Sequence, residues 1–135
     1  MPGYLLDTDI CSYAIKRKKP ELLSKIRTAL ENEDIAISAI TRGELLYGLE
    51  LVPDATSLHI AVHAFLEYLP CLEWPVSAAD HYGKLRAEQK INGTPVGYMD
   101  TLIACHALAE NLILVTNNER DFSRIPGLKI ENWAE

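Results

Sequence analysis

Short apolar runs alternating with longer stretches of helical periodicity constrain this chain more than any other feature of its sequence. Tyr4-Leu5-Leu6 is apolar, stops at Asp7 and reads as a buried strand. Ile10 to Lys16 reads as a helix that closes in the basic run Lys16-Arg17-Lys18-Lys19. Pro20 suits the first turn of a second helix, with Leu22, Leu23, Ile26 and Leu30 on one face. Ile35-Ala-Ile37 is a second strand followed by Ser38, and a helix through Glu44 to Leu51 ends near Pro53. An amphipathic helix covers about Thr56 to Leu69, and Cys71 to Trp74 is strand-like between two prolines. Ser77 or Asp80 can cap a helix running to about Ile91, and residues 92–97 form a loop by their turn chemistry. A helix from Met99 to Glu110 should turn Leu102, Ile103, Ala107 and Leu108 inward. Leu112 to Val115 is the plainest buried strand, and Pro126-Gly127 turns into a last one, Leu128 to Ile130. This alternation predicts an α/β fold with a parallel sheet covered by helices on both faces. Ligands of such sheets sit outside the carboxyl ends of the strands.

At 135 residues the chain has the length of one domain, 1–135. A folded chain of this mass exposes roughly 7,000 Å² against about 22,000 Å² unfolded, enough burial for a core without staples. With 48% apolar and 24% charged residues, the composition excludes disordered, collagen-like and low-complexity classes. No apolar run is long enough to span a bilayer, and the N-terminal segment lacks a basic leader, so a cytoplasmic protein is expected. Cys11, Cys71 and Cys105 form no C-x-x-C pair, which argues against a zinc knuckle or disulfide framework and for reduced, buried thiols. The net charge of −6 gives no global basic field for nucleic acid. It does allow a carboxylate cluster around a metal.

Three acids stand out on this frame. Asp7 ends the first strand, Glu44 lies about a turn into the helix after the second, and Asp100 opens the helix before the fourth. Carboxylates brought together repel one another, and burial raises the cost. No lysine stands at a matching strand end, so a hard divalent cation with oxygen ligands is the natural compensation. Such an ion lowers the pKa of a bound water and shields phosphodiester charge, which suits phosphodiester hydrolysis.

Four segments carry a resemblance: Leu5-Leu6-Asp7-Thr8-Asp9-Ile10; Ile37-Ser38 with Thr41-Arg42-Gly43-Glu44-Leu45-Leu46-Tyr47-Gly48; Gly97-Tyr98-Met99-Asp100-Thr101-Leu102-Ile103-Ala104; and Val115-Thr116-Asn117-Asn118 with Asp121-Phe122. Together and in this order the chain resembles the PIN-domain nucleases, and more closely the VapC-type toxins of bacterial toxin–antitoxin pairs. The resemblance implies a Mg²⁺- or Mn²⁺-dependent endoribonuclease with a five-stranded parallel α/β/α sandwich. It also implies a homodimer, inhibition by a cognate VapB-type antitoxin, and structured RNA such as tRNA as substrate. Asp7, Glu44 and Asp100 match the family's three acidic metal-site positions. A fourth site position, often Asp, follows the fourth strand; here Asn118 should lie near the site, with Glu119 or Asp121 supplying the acid. The expected reaction is in-line attack by water, giving a 5′-phosphate and a 3′-hydroxyl.

Around these acids, Thr8, Arg42, Thr116 and Asn118 are the expected substrate contacts. Asp9 reads as a supporting residue or a helix cap, Tyr47 as packing, and Gly48 as permitting a close backbone approach. Lys16 to Lys19, Arg86, Lys90, Arg120 and Arg124 can add a local basic rim that outweighs the global charge over a Debye length of about 8 Å. The helices between about Pro20 and Leu69 offer a groove for an antitoxin's apolar segment.

Blander and rival readings fit these residues less well. Each acid alone can be a cap or a solvated helix residue; the three in register shift the balance. His59 and His63 are spaced i, i+4 but no Glu follows His59, so they read as ordinary histidines, as do His81 and His106. Asp7-Thr8-Asp9 resembles the opening of haloacid-dehalogenase phosphatases, although Cys11 stands where Thr or Val is wanted and a late Lys is missing. A phospho-receiver lacks its acceptor at Trp74-Pro75. A catalytically inactive fold that only binds a partner is the third alternative, kept open by Asn117-Asn118.

Overall fold

Strands as short as two residues hold here because helices cover both sides of the sheet. The computed structural model of the chain describes residues 3–135. Residues 1 and 2, part of the segment read for a leader, lie outside the described residues. The element order is β1 (Tyr4–Leu6), α1 (Thr8–Ile15), α2 (Pro20–Glu31), β2 (Ile35–Ser38), α3 (Ala39–Glu50), α4 (Thr56–Tyr68), β3 (Cys71–Leu72), α5 (Val76–Asn92), α6 (Tyr98–Glu110), β4 (Ile113–Val115), α7 (Glu119–Phe122) and β5 (Ile130–Glu131). All five strands pair in parallel, in the order β3-β2-β1-β4-β5.

Successive strand residues feed two separate cores. Leu6, Ile35, Ile37 and Val115 face a core completed by Ile10 and Cys11 of α1, Leu22 and Ile26 of α2, Leu45 and Leu49 of α3, and Val62 and Leu66 of α4. Leu5 and Leu114 face the opposite core, built with Leu85 of α5, Ile103 to Ala107 of α6 and Phe122 of α7. The expected three-layer α/β/α sandwich is thus the observed architecture. Among the described residues no helix is long and apolar enough to cross a membrane.

Local chemistry sets several boundaries. Asp7 and Ser38 cap α1 and α3, accepting from the backbone N–H of Ile10 and Ile40 at 2.8 and 3.1 Å. Gly93 and Asn111 end α5 and α6 in the left-handed region, with φ of 64° and 53°.

The structure corrects several expectations. Neither Ser77 nor Asp80 caps α5; Pro75 occupies that position in an extended conformation, without a side-chain bond. Asp9 is not a cap either, because Asp7 has that role. The last strand is Ile130–Glu131, shifted toward the C-terminus because pairing with Leu114 and Val115 fixes its register. Leu102 is only half-buried, whereas every residue from Ile103 to Ala107 is buried between sheet and neighbouring helices. Tyr47 is 65% exposed and does not pack, and no atom lies within 4 Å of a Cβ placed on Gly48, so no close approach requires that glycine. Cys11 and Cys105 are buried free thiols as expected, but Cys71 is exposed.

Candidate functional site

The chain steps from β1 outward to β2 and β3, then returns to the other side of β1 for β4. That reversal opens a crevice beyond the carboxyl ends of β1 and β4. Asp7 leaves β1 at this point. Its backbone N–H donates to Val115 O at 3.0 Å, its side chain caps α1, and only 2% of it is exposed. Thr116 leaves β4 beside it, fully buried, its hydroxyl accepting from the Asn118 N–H at 2.9 Å.

Glu44 reaches the crevice from α3, in the second helical turn rather than the first. The Thr8 hydroxyl donates to Glu44 Oε1 and lies 3.2 Å from the Thr41 hydroxyl. Thr8 has one hydroxyl hydrogen, so Thr41 is the donor to Thr8, and the two threonines hold the carboxylate in series. Thr41, three residues before Glu44 and fully buried, was not singled out by the sequence; its i, i+3 spacing was the available signal.

Asp100 lies in the first turn of α6. Asp121 lies in the four-residue α7, which Asn118 caps; Asn118 Nδ2 also donates to Asp121 Oδ2 at 3.1 Å. Glu119 instead accepts from Asn132 at 3.3 Å. Arg42 stands apart, beside Cys71 and lining a hollow with His63, Leu66 and Glu67.

These acids share one electrostatic field. Burial raises Asp7 from 3.8 to about 7; hydrogen bonding from Thr116 and the Ile10 N–H pulls it down, and Asp9 and Asp100 push it further up. Burial likewise raises Asp100 to about 6, with Asp9, Glu44 and Asp121 adding to it. Among the described residues the single ion pair to any of these carboxylates is Arg124 to Asp121 at 3.9 Å, on the exposed rim.

Among the described residues no three His, Cys, Asp or Glu side chains form a ready-made cluster for a metal ion. Asp7 and Glu44 are held by their own hydrogen bonds, to the α1 cap and to Thr8. The donor chemistry still fits a hard divalent cation: the groups are carboxylates and hydroxyls, and two of the carboxylates are held above the usual carboxylate range, a cost that added positive charge would relieve. The nearby sulfur, Cys11, is sealed in the core.

A parallel sandwich with an acidic crevice at its topological switch is the frame of several hydrolase classes. The pattern defining the PIN domain matches residues 4–128. The chain is 43% identical to a tRNA(fMet)-specific endonuclease VapC of Salmonella typhimurium, over 99% of this chain and 100% of that protein. It is 39% identical to ribonuclease VapC2 of Rickettsia felis, over 96% and 97%. Its backbone superimposes with a TM-score of 0.89 on a chain of the crystal structure of VapBC2 from Rickettsia felis bound to a promoter DNA fragment, at 38% identity, covering 96% of this chain and 98% of that one. The chain belongs to the PIN-domain family and, within it, to the VapC group.

Proposed function

We propose that the protein is a divalent-metal-dependent endoribonuclease and the toxin half of a VapBC-type toxin–antitoxin pair, acting in the cytoplasm. The single observation that carries this reading is the gathering of buried Asp7 and half-buried Asp100 in one crevice with Glu44, where burial first and neighbouring acids second raise both aspartates. Asp7, Glu44 and Asp100 would hold Mg²⁺ or Mn²⁺, with Asp121 as a fourth acid. The ion, when bound, supplies positive charge to the phosphodiester and acidity to water.

The remaining work falls to the chain itself. Thr8 and Thr41 orient Glu44, and the Asp7 cap fixes one carboxylate oxygen. Thr116 and Asn118 shape the floor where a phosphate oxygen would lie, and Asn118 orients Asp121. Arg120, Arg124 and Lys16 are exposed around the crevice and suit backbone phosphates, which makes binding sensitive to salt. Arg42 is a contact for a longer RNA rather than for the scissile phosphate, given its place beside Cys71. Water attack in line leaves a 5′-phosphate and a 3′-hydroxyl and does not use the 2′-hydroxyl. The substrate class is structured RNA, with tRNA first to be tried because the Salmonella typhimurium relative is named for tRNA(fMet).

The partner reading has its own support. A hollow of about 280 Å³ between α1, α3 and α4 is walled by Ile15, Leu49, Leu58 and Val62 and ends at Thr8 and Glu44. An apolar antitoxin segment laid there would reach the acids and block them. Solved VapBC complexes from Rickettsia felis and Salmonella typhimurium, at 38% and 41% identity, support a VapB-type partner, and the toxin is proposed to act as a homodimer.

The test is cleavage of purified tRNA by the isolated protein. Activity should vanish in EDTA, return with Mg²⁺ or Mn²⁺, and be lost on adding the VapB-type protein encoded with it. Full activity of a metal-saturated Asp7→Asn variant would overturn the site assignment. Release of phosphate from a small ester, without RNA cleavage, would favour the phosphatase reading instead.

A further inference from the structure

His106 lies six residues beyond Asp100 on α6, with none of its surface exposed. Its Nδ1 is 2.8 Å from the Ser38 hydroxyl oxygen, across 68 residues of sequence. Ser38 is itself fully buried, ends β2, and caps α3 by accepting from the Ile40 N–H at 3.1 Å. The other ring nitrogen, Nε2, is buried with no hydrogen-bond partner.

An unpartnered buried nitrogen costs about 1–3 kcal/mol. An apolar ring of the same shape would avoid that cost, so packing alone gives no reason for a histidine here. What the imidazole adds is one directed bond to the cap of α3. That helix carries Thr41 and Glu44, and α6 carries Asp100. Burial keeps the imidazole neutral. In either tautomer one hydrogen joins Nδ1 and the Ser38 oxygen.

We infer that His106 is a positioning residue: through Ser38 it pins the start of α3 against α6 and so sets Glu44 relative to Asp100. The inference rests on the proposed metal-dependent reading and names a residue that supports it from outside the crevice. From Ser38 the constraint runs along the first turn of α3 to Thr41, then through Thr8 to the Glu44 carboxylate.

The test compares His106→Asn, His106→Gln and His106→Phe in the full-length protein. Asn places an amide atom where Nδ1 stood and has nothing at Nε2. Gln places its amide further out and loses the Ser38 bond. Phe keeps the ring shape and loses both nitrogens. Three quantities are measured for each: Mn²⁺ affinity by calorimetry without RNA, the Mg²⁺ concentration for half-maximal cleavage, and the metal-free Tm. His106→Phe and His106→Gln should weaken both metal readouts roughly tenfold or more, the range seen for groups that orient ligands. His106→Asn should restore both to near the wild-type values.

A purely structural histidine predicts another pattern, in which metal affinity follows Tm and Asn rescues no better than Gln; that result would overturn the inference. Wild-type metal binding in His106→Phe would overturn it as well. If His106→Phe does not fold, the Asn and Gln pair decides alone. A wild-type protein that neither binds Mn²⁺ nor needs metal for cleavage would instead overturn the underlying functional reading, a different outcome.

Discussion

Asp7 serves two ends that pull against each other. As the cap of α1 it stabilises the fold, and as a buried carboxylate it burdens the fold whenever it is ionised. Asn caps a helix about as well as Asp and carries no charge. Asp7→Asn should therefore fold, with an unchanged or higher Tm at pH 8, and lose at least a hundredfold in RNA cleavage; thermal unfolding beside a cleavage assay checks both halves. A Tm many degrees lower would mean that the cap, not the charge, dominates. Asp7 was legible in the sequence because a strand end followed by an acid needs only local pattern. The task of Thr8 was not legible. It was expected to meet substrate, yet its hydrogen goes to Glu44, 36 residues away, a contact only the tertiary fold creates. Thr8→Val keeps the shape and removes the donor. It should lower cleavage by about tenfold to a hundredfold, since one hydrogen bond to a charged group contributes about 1.5–3 kcal/mol. Activity equal to wild type would leave Glu44 held by other means.

Among the elements, the interior strands and long helices followed from periodicity, whereas the edges did not. β3 and β5 pair through only two residues each, so neighbours rather than their own sequence decide where they start and stop. α7 has four residues, too few to show a helical period, and only the Asn118 cap marks it. Sequence pattern placed Glu44 and Asp100 on the correct helices but could not foresee that Ser38 and His106 join those helices at the core. α3 shows another effect of context. Gly43 sits mid-helix with no atom within 4 Å of a Cβ built on it. Gly43→Ala should stabilise the protein by about 0.5–1 kcal/mol through backbone entropy and helix propensity. A shift of the urea midpoint to higher concentration at unchanged slope is the expected signature. A loss of stability would show that α3 needs the glycine for something beyond its own conformation.

For the molecule as a whole, the decisive quantity is where its negative charge is held. The net charge is −6, and part of it is gathered in a crevice with little cationic relief. Asp7 and Asp100 are raised from 3.8 to about 7 and about 6, so between roughly pH 4 and 7 the folded protein holds protons that the unfolded chain has released. More protons on the native state means that stability falls as pH rises through this window and levels off above it. In EDTA, Tm should therefore decline from pH 5 to pH 7.5, and the decline should be shallower in Asp7→Asn. A divalent cation competes for the same oxygens. At pH 5.5 it must displace protons to bind, whereas at pH 8 it meets carboxylates already ionised and repelling one another. Adding saturating Mg²⁺ should raise Tm more at pH 8 than at pH 5.5, because stabilisation by a ligand grows with its affinity at fixed concentration. The increment at pH 8 should also shrink in Asp7→Asn. Equal increments at both pH values would place the bound ion away from these carboxylates. Charge screening alone could not imitate the expected pattern, since Na⁺ at matched ionic strength would act without needing Asp7.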